Sequence, residues 1–244
     1  MAFDLRSTER PRIIAHRGAS GSAPENTMSA FRLAVKQRAE LLELDVQVTS
    51  DGVPVVIHDP TVDRTTSGRG MVGAMSLAQL KTLRIETGGE PEVVPTLDEL
   101  LAWASGRVPV ALELKRDGPL VHPEVVEKVV ASVVSHRLEG QCAIISFDHT
   151  LVRQARKLCP HLAGGVLFAC APILPARLAE DASAQAILPH WTSLDARMVR
   201  EAHEAGLAVC PWVADGEDEM RWVLSLGVDA IATNHPARLA ALLG

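Results

Sequence analysis

LLELDVQVTSDGVPVVIHD, residues Leu41 to Asp59, carries two patterns at once. At the period of two that a strand imposes, Glu43, Asp45 and Gln47 share one face, and Leu42, Leu44, Val46 and Val48 share the other. A parallel strand of an α/β protein is buried on both faces, where an unpaired carboxylate costs roughly several kcal/mol. Something positive must therefore sit among these acids. After a turn at Ser50-Asp51-Gly52 the chain is extended again over Val53 to Ile57 and ends on His58-Asp59, which brings a titratable imidazole to the acid site. On this stretch alone, a solvated edge strand with a surface acid pair and a chance histidine is the competing reading.

The chain around it is 244 residues long, which suits one large domain with a sizeable core and falls in the range of α/β barrels. A net charge of -6 and the absence of basic runs exclude nucleic acid as the main partner, so an anionic substrate needs local attraction. The opening MAFDLRSTER lacks the apolar core of a secretion signal. The apolar stretch Ala163 to Ala176 is short and broken by Gly164, Gly165, Pro172 and Pro175. These features predict a cytoplasmic protein without stable membrane association. Cys142, Cys159, Cys170 and Cys210 show no CxxC spacing and lie in or beside apolar runs, which predicts buried free thiols.

Outward from the central stretch, strand and helix patterns alternate. Pro11 to Ala15 reads as a buried strand running into His16-Arg17-Gly18, and Pro24-Glu25-Asn26-Thr27 opens a helix that lasts to Arg38. Further strands are expected at Val108–Lys115, Cys142–Phe147, Leu162–Phe168, Ala184–Pro189, Leu207–Val213 and Ala230–Thr233, each followed by a helical pattern. With the strands ending at His16 and Val48, that makes eight βα units. Together they predict a single (β/α)8 TIM barrel domain over residues 1–244, with a small insertion at about 59–94 after the second strand. The insertion holds a short capped helix at Ser76-Leu-Ala-Gln79, and Pro95-Thr96-Leu-Asp-Glu99 is a second capping box.

In such a barrel, catalysis sits at the C-terminal ends of the strands. His16-Arg17, Glu43 and Asp45, His58, and the pair Glu113 and Lys115 on one face of Ala111-Leu-Glu-Leu-Lys115 all fall at or just after strand ends. Three converging carboxylates with no soft ligand favour one hard divalent cation, Mg2+ or Ca2+. The alternative for Glu113 is an ion pair with Lys115 or Arg17. Two histidines, with ordinary pKa values near ~6.5, can supply base and acid at neutral pH. With Arg17 as a fork and Lys115 as a point charge, the set suits a phosphate and specifically phosphodiester cleavage.

His16-Arg17-Gly18, Pro24-Glu25-Asn26-Thr27, Glu43-Leu-Asp45, Asp51-Gly52, His58-Asp59, Asp63-Arg64-Thr65-Thr66, Pro95-Thr96-Leu97, Glu113-Leu-Lys115, Ser146-Phe147, Trp212 and Gly227-Val-Asp229 form a series over the whole chain. That series resembles the glycerophosphodiester phosphodiesterase family. The resemblance implies a TIM-type barrel that hydrolyses small glycerophosphodiesters to glycerol 3-phosphate and an alcohol. It implies Glu43, Asp45 and Glu113 as metal ligands, His16 and His58 as the acid-base pair, and Arg17 and Lys115 as phosphate holders. By similarity to the phosphoinositide phospholipases C, His16 is the base and His58 the acid. Glu25 either orients a catalytic histidine, reaches the metal through water, or is only a first-turn helix acid. Trp212 walls the substrate pocket or is core, and Phe147 is expected to be core. Where the family often has Thr-Asp before proline, this chain has Thr233-Asn234-His235-Pro236, and neither Asn234 nor His235 is given a role.

Two alternatives stand beside this reading: a lysophospholipase D or phospholipase C-like action on lipid head groups, and a barrel that binds phosphoesters without turnover. The scattered apolar residues of the insertion, Met71, Val72 and Met75 among them, favour soluble diesters over lipids. A binding-only protein has no need of the His16 and His58 pair.

Overall fold

The first strand, β1 (Arg12–His16), pairs in parallel with β2 (Leu41–Val48), and the register sets His16 beside Glu43. A computed structural model describes residues 5–6, 10–115 and 123–244; most of the N-terminal stretch read above for a secretion signal lies outside them. The remaining parallel strands are β4 (Val110–Leu114), β5 (Cys142–Ser146), β6 (Ala163–Phe168), β7 (Ala186–Pro189), β8 (Ala208–Val209) and β9 (Ala230–Thr233). Their spatial order is β8-β7-β6-β5-β4-β2-β1-β9. Three backbone hydrogen bonds link the two outer edges: Asp229 N to Val209 O (2.9 Å), Ala232 N to Pro211 O (2.9 Å) and Ala214 N to Ala232 O (3.1 Å). The eight strands thus form a nearly closed barrel, as the βα alternation predicts.

The extended run before His58 forms β3 (Pro54–Val56), which pairs antiparallel with β2, Val46 opposite Val56. A hairpin, and not a barrel strand, therefore delivers His58. The residues from Asp59 to Val94 close over their own apolar cluster, Val55, Ile57, Val62, Val72, Leu80, Ile85 and Val94. Within it, α2 (Leu77–Leu80) has the expected capping box between Ser76 and Gln79.

The helices are α1 (Met28–Lys36), α3 (Leu97–Ala104), α4 (Val125–Ser135), α5 (His149–Leu158), α6 (Pro175–Ala182), α7 (Ala196–Glu204), α8 (Glu217–Ser225) and α9 (Pro236–Leu243). They pack on the outward strand faces through Leu42, Leu44, Leu112, Ile144, Val166 and Ile187. The inward faces alternate small and large residues, Ala111, Ala143, Ala163, Ala186, Ala208, Ala230 and Ala232 beside Ile14, Leu41, Ile145, Leu167 and Leu188, with Leu5 in the same cluster. Among the described residues, no helix is long and apolar enough to cross a membrane.

Some boundaries differ from the sequence reading for identifiable reasons. α1 stops at Lys36, and Arg38 turns left-handed at φ 69°. β8 is two residues long where seven were expected: Pro189 of β7 has no N–H to offer the Cys210 carbonyl, and beyond Val209 the pairing continues irregularly, through Cys210 N to Ile187 O (3.0 Å), Trp212 N to Pro189 O (3.1 Å) and an isolated bridge from His190 to Trp212. Cys170 is exposed in the loop after β6, whereas Cys142, Cys159 and Cys210 are buried as expected.

The turn after β1 holds the site's first two residues, His16 and Arg17, against α1. Gly18 there has φ +81°, and a Cβ on it would lie 2.7 Å from the carbonyl carbon of Ala30 in α1. Gly18→Ala should therefore destabilise the protein by more than about 1 kcal/mol, read as a lower denaturant midpoint with an unchanged slope. An unchanged midpoint would show that this turn is not pinned.

Candidate active site

Inward-facing positions of β2 and β4 put three carboxylates together, because the parallel register sets Asp45 beside Glu113 while Glu43 lies two residues before Asp45. One oxygen from each of Glu43, Asp45 and Glu113 can be chosen so that all lie within 4.8 Å of one another. All three residues are buried.

Two cations answer them. Lys115 Nζ donates to Glu113 Oε1 at 2.7 Å and lies 3.3 Å from Asp45 Oδ1. Arg17 Nε lies 3.2 Å from Asp45 Oδ2, and the Arg17 backbone N–H donates to Glu43 Oε2 at 2.9 Å. The Glu113–Lys115 ion pair is thus present, yet it does not complete the site. Glu43 Oε1 and Asp45 Oδ1 are buried without a hydrogen-bond partner. Burial, and then the charge of Asp45, pushes both Glu43 and Glu113 up to about 8. Burial acts the same way on Asp45, but Lys115 and then Arg17 outweigh it and hold that carboxyl below its usual value. When all three acids are ionised, the two cations leave one negative charge unmet, and two of the buried acid oxygens have no hydrogen-bond partner. That donor set fits a hard divalent cation.

His16 stands on the β1 side of this cluster. Burial, and then Arg17, holds its imidazole below 6.5. Its Nδ1 is 2.7 Å from Asn234 Oδ1, at the end of β9. His58 has a different partner, for its Nδ1 lies 2.7 Å from Asp59 Oδ1. Arg64 donates through Nε to Asp59 Oδ2 at 2.6 Å, and its hydrogen bonds hold the Asp59 carboxyl at about 2. Gln47, on the acid face of β2, ties the hairpin in place by donating to the His58 carbonyl at 3.2 Å.

Glu25 accepts from Arg17 (3.0 Å) and from both terminal nitrogens of Arg64 (2.7 and 2.8 Å). Its described hydrogen bonds run to these two arginines and to neither imidazole. It therefore positions Arg17 and braces the insertion against the first βα loop. Trp212 donates its indole N–H to Leu188 O (2.9 Å) and meets Phe147 edge-to-face at 5.3 Å. Phe147 is 48% exposed, which corrects the expectation that it is core. Both rings help line a cavity of about 210 Å³ that is also lined by His16, Arg17, Glu43, His58, Glu113 and Lys115. Every sequence-predicted site residue except Asp45 and Glu25 lines this one space, and those two both pair with Arg17.

Four functional neighbours escape a sequence reading. Asn26 donates to Asp45 Oδ2 at 2.7 Å; its motif position marks it only as a residue before a helix. Arg64 and Asp59 lie in the quoted motifs, but nothing local says that they pair. Asp215, which accepts from Asn234 Nδ2 at 2.6 Å, carries no sequence signal.

Residues 16–238 match the profile of the "Glycerophosphoryl diester phosphodiesterase family". The chain belongs to that family. A glycerophosphodiester phosphodiesterase of Caldanaerobacter subterraneus is 35% identical over 238 residues, covering 95% of this chain and 97% of its own. Among solved structures, a glycerophosphodiester phosphodiesterase from Agrobacterium tumefaciens superposes with a TM-score of 0.81 at 30% identity, covering 95% of this chain and 99% of its own. An Oleispira antarctica phosphodiesterase, in complex with the product sn-glycerol-3-phosphate, superposes at 0.85 with 27% identity over 96% of this chain and 97% of its own. As a member of the glycerophosphoryl diester phosphodiesterase family, the protein is an enzyme, a phosphoric diester hydrolase.

The raised carboxylates have a measurable effect on folding. Between the ordinary value of 4.5 and about 8, the unfolded chain has released the Glu43 proton while the folded chain keeps it. Stability of the metal-free protein is therefore lost as pH rises through that window. In the presence of a chelator, the melting temperature should fall less from about pH 5.5 to about pH 8.5 in Glu43→Gln than in the unsubstituted protein. Equal falls would mean that Glu43 is not held protonated.

Proposed function

We propose that the enzyme hydrolyses small glycerophosphodiesters to sn-glycerol 3-phosphate and an alcohol, using one divalent cation, Mg2+ or Ca2+, and a pair of histidines. The observation that carries this reading is the pair of buried oxygens without hydrogen-bond partners, Glu43 Oε1 and Asp45 Oδ1, grouped with Glu113 at a cavity that His16 and His58 also line. Family membership supports the reaction class, and the Oleispira relative's complex with sn-glycerol-3-phosphate supports the product.

Glu43, Asp45 and Glu113 would hold the cation. When bound, it supplies positive charge to the phosphate oxygens as negative charge builds on them. Arg17 and Lys115 hold the phosphate from the same side, Arg17 kept in place by Glu25 and Asp45. His16 takes a proton from the attacking water. His58, oriented by the Asp59 carboxylate at its Nδ1, gives a proton to the departing alcohol oxygen. Phe147 and Trp212 form the apolar wall against which the organic part of the substrate lies.

Release of sn-glycerol 3-phosphate from a panel of glycerophosphodiesters should require Mg2+ or Ca2+ in chelator-treated enzyme and be lost in Glu43→Ala. Release that survives metal removal would sink the metal assignment, and no release from any diester would sink the substrate class. His16→Ala should lower kcat by ~10^2 to 10^4 for every diester. His58→Ala should lose far more on an alkyl leaving group than on an activated aryl one; equal losses would show that His58 is not the acid.

A further inference from the structure

The two imidazoles use the same ring atom, Nδ1, to meet different partners: a carboxylate for His58 and a neutral amide, Asn234, for His16. Which end of that amide faces His16 is decided by Asp215, in the loop after β8. An ionised carboxylate can only accept, and Asp215 Oδ2 lies 2.6 Å from Asn234 Nδ2. Its other oxygen accepts from the Asn234 backbone N–H (2.8 Å) and from the Thr233 hydroxyl (2.9 Å), so the amide is gripped by side chain and backbone together. The NH2 group must therefore face Asp215, and Oδ1 must face His16. The Ser20 hydroxyl, 2.6 Å from that same Oδ1 and 2.7 Å from the His16 carbonyl, lies on both groups at once.

An amide oxygen has no proton to give. A neutral His16 can make this 2.7 Å contact only with its hydrogen on Nδ1. We propose that Asn234, clamped by Asp215, is a positioning residue that locks neutral His16 in the Nδ1–H tautomer, leaving Nε2 as the ring's proton acceptor. The inference rests on the reading of His16 as the base, and it gives that role a structural cause. A carboxylate in Asn234's place would favour the protonated ring. The amide orients the ring without adding a charge. Asp215 and Asn234 act through His16, from the ends of two strands next to one another in the barrel.

The test uses the full-length enzyme, 15N-labelled and loaded with diamagnetic Mg2+, at about pH 8, where an unperturbed imidazole is neutral. Ring 15N–1H spectra, with His16→Gln used to assign the signal, should show His16 as the Nδ1–H tautomer. Asn234→Leu should shift it to the Nε2–H form that free imidazole side chains prefer and lower kcat by about 10- to 100-fold with KM within about twofold. Asn234→Asp keeps an acceptor at Nδ1 and should keep the hydrogen there, but it recovers only part of kcat, because its charge favours the protonated ring and it can no longer donate to Asp215. Where Asn234→Leu does not fold, Asp215→Ser unties the amide and should give mixed tautomers with kcat several-fold lower. An Nε2–H tautomer in the unsubstituted enzyme overturns the proposal. So does an Asn234→Leu variant with unchanged tautomer and kcat, or one whose loss is confined to melting temperature. If no diester is turned over, the functional reading fails, while the spectra still decide the tautomer.

Discussion

Three carboxylates inside a barrel are an electrostatic debt that the surrounding structure is arranged to meet. Lys115 follows Glu113 at the end of β4, Arg17 comes from the end of β1, beside β2, and Asn26 reaches in from the loop before α1 to give Asp45 a neutral hydrogen bond. Each compensating group then needs its own support. Arg17 is held by Glu25, Glu25 by Arg64, and Arg64 by Asp59, which orients His58. The acid cluster at the centre and the histidine on the hairpin are therefore ends of one chain of ion pairs. That chain crosses from the first βα loop to the insertion, which explains how residues outside the barrel strands hold the His58 imidazole in register with the acids inside.

The barrel was legible because its signals are local and repeated. Strand period, turn residues and capping boxes at Ser76/Gln79 and Thr96/Glu99 each act over a few residues, and each appears where the pattern places it. The acid cluster was legible for a related reason: Glu43 and Asp45 sit two apart on one strand, and Glu113 shares the face of a neighbouring strand. Burial made such a face intolerable without a counter-charge, so the pattern itself pointed to a site.

Partnerships across long separations were not legible. His16 meets Asn234 218 residues away, and Arg64 reaches Glu25 across 39. No periodicity connects such pairs, and Asp215 has no motif around it. Phe147 misled for a different reason. An aromatic residue just past a buried strand reads as core, but position 147 is the first residue beyond β5, where the inward face opens into the cavity. Proline at 189 likewise interrupts the ladder to β8, whose hydrophobic pattern runs on to Val213.

The backbone around the site carries a further consequence. Arg17 and Asn26 both adopt φ 57°, a left-handed conformation that Asn tolerates but that is unfavourable for Arg, and a hydrogen bond from Asn26 N to Arg17 O (3.1 Å) joins them. In these positions the Arg17 amide is aimed at Glu43, and the Asn26 side chain is aimed at Asp45. The unfavourable Arg17 torsion is thus accepted once, when the chain folds, and not again at each catalytic cycle. The two acids meet dipoles that already face them, so the cluster is held without any further rearrangement of this backbone.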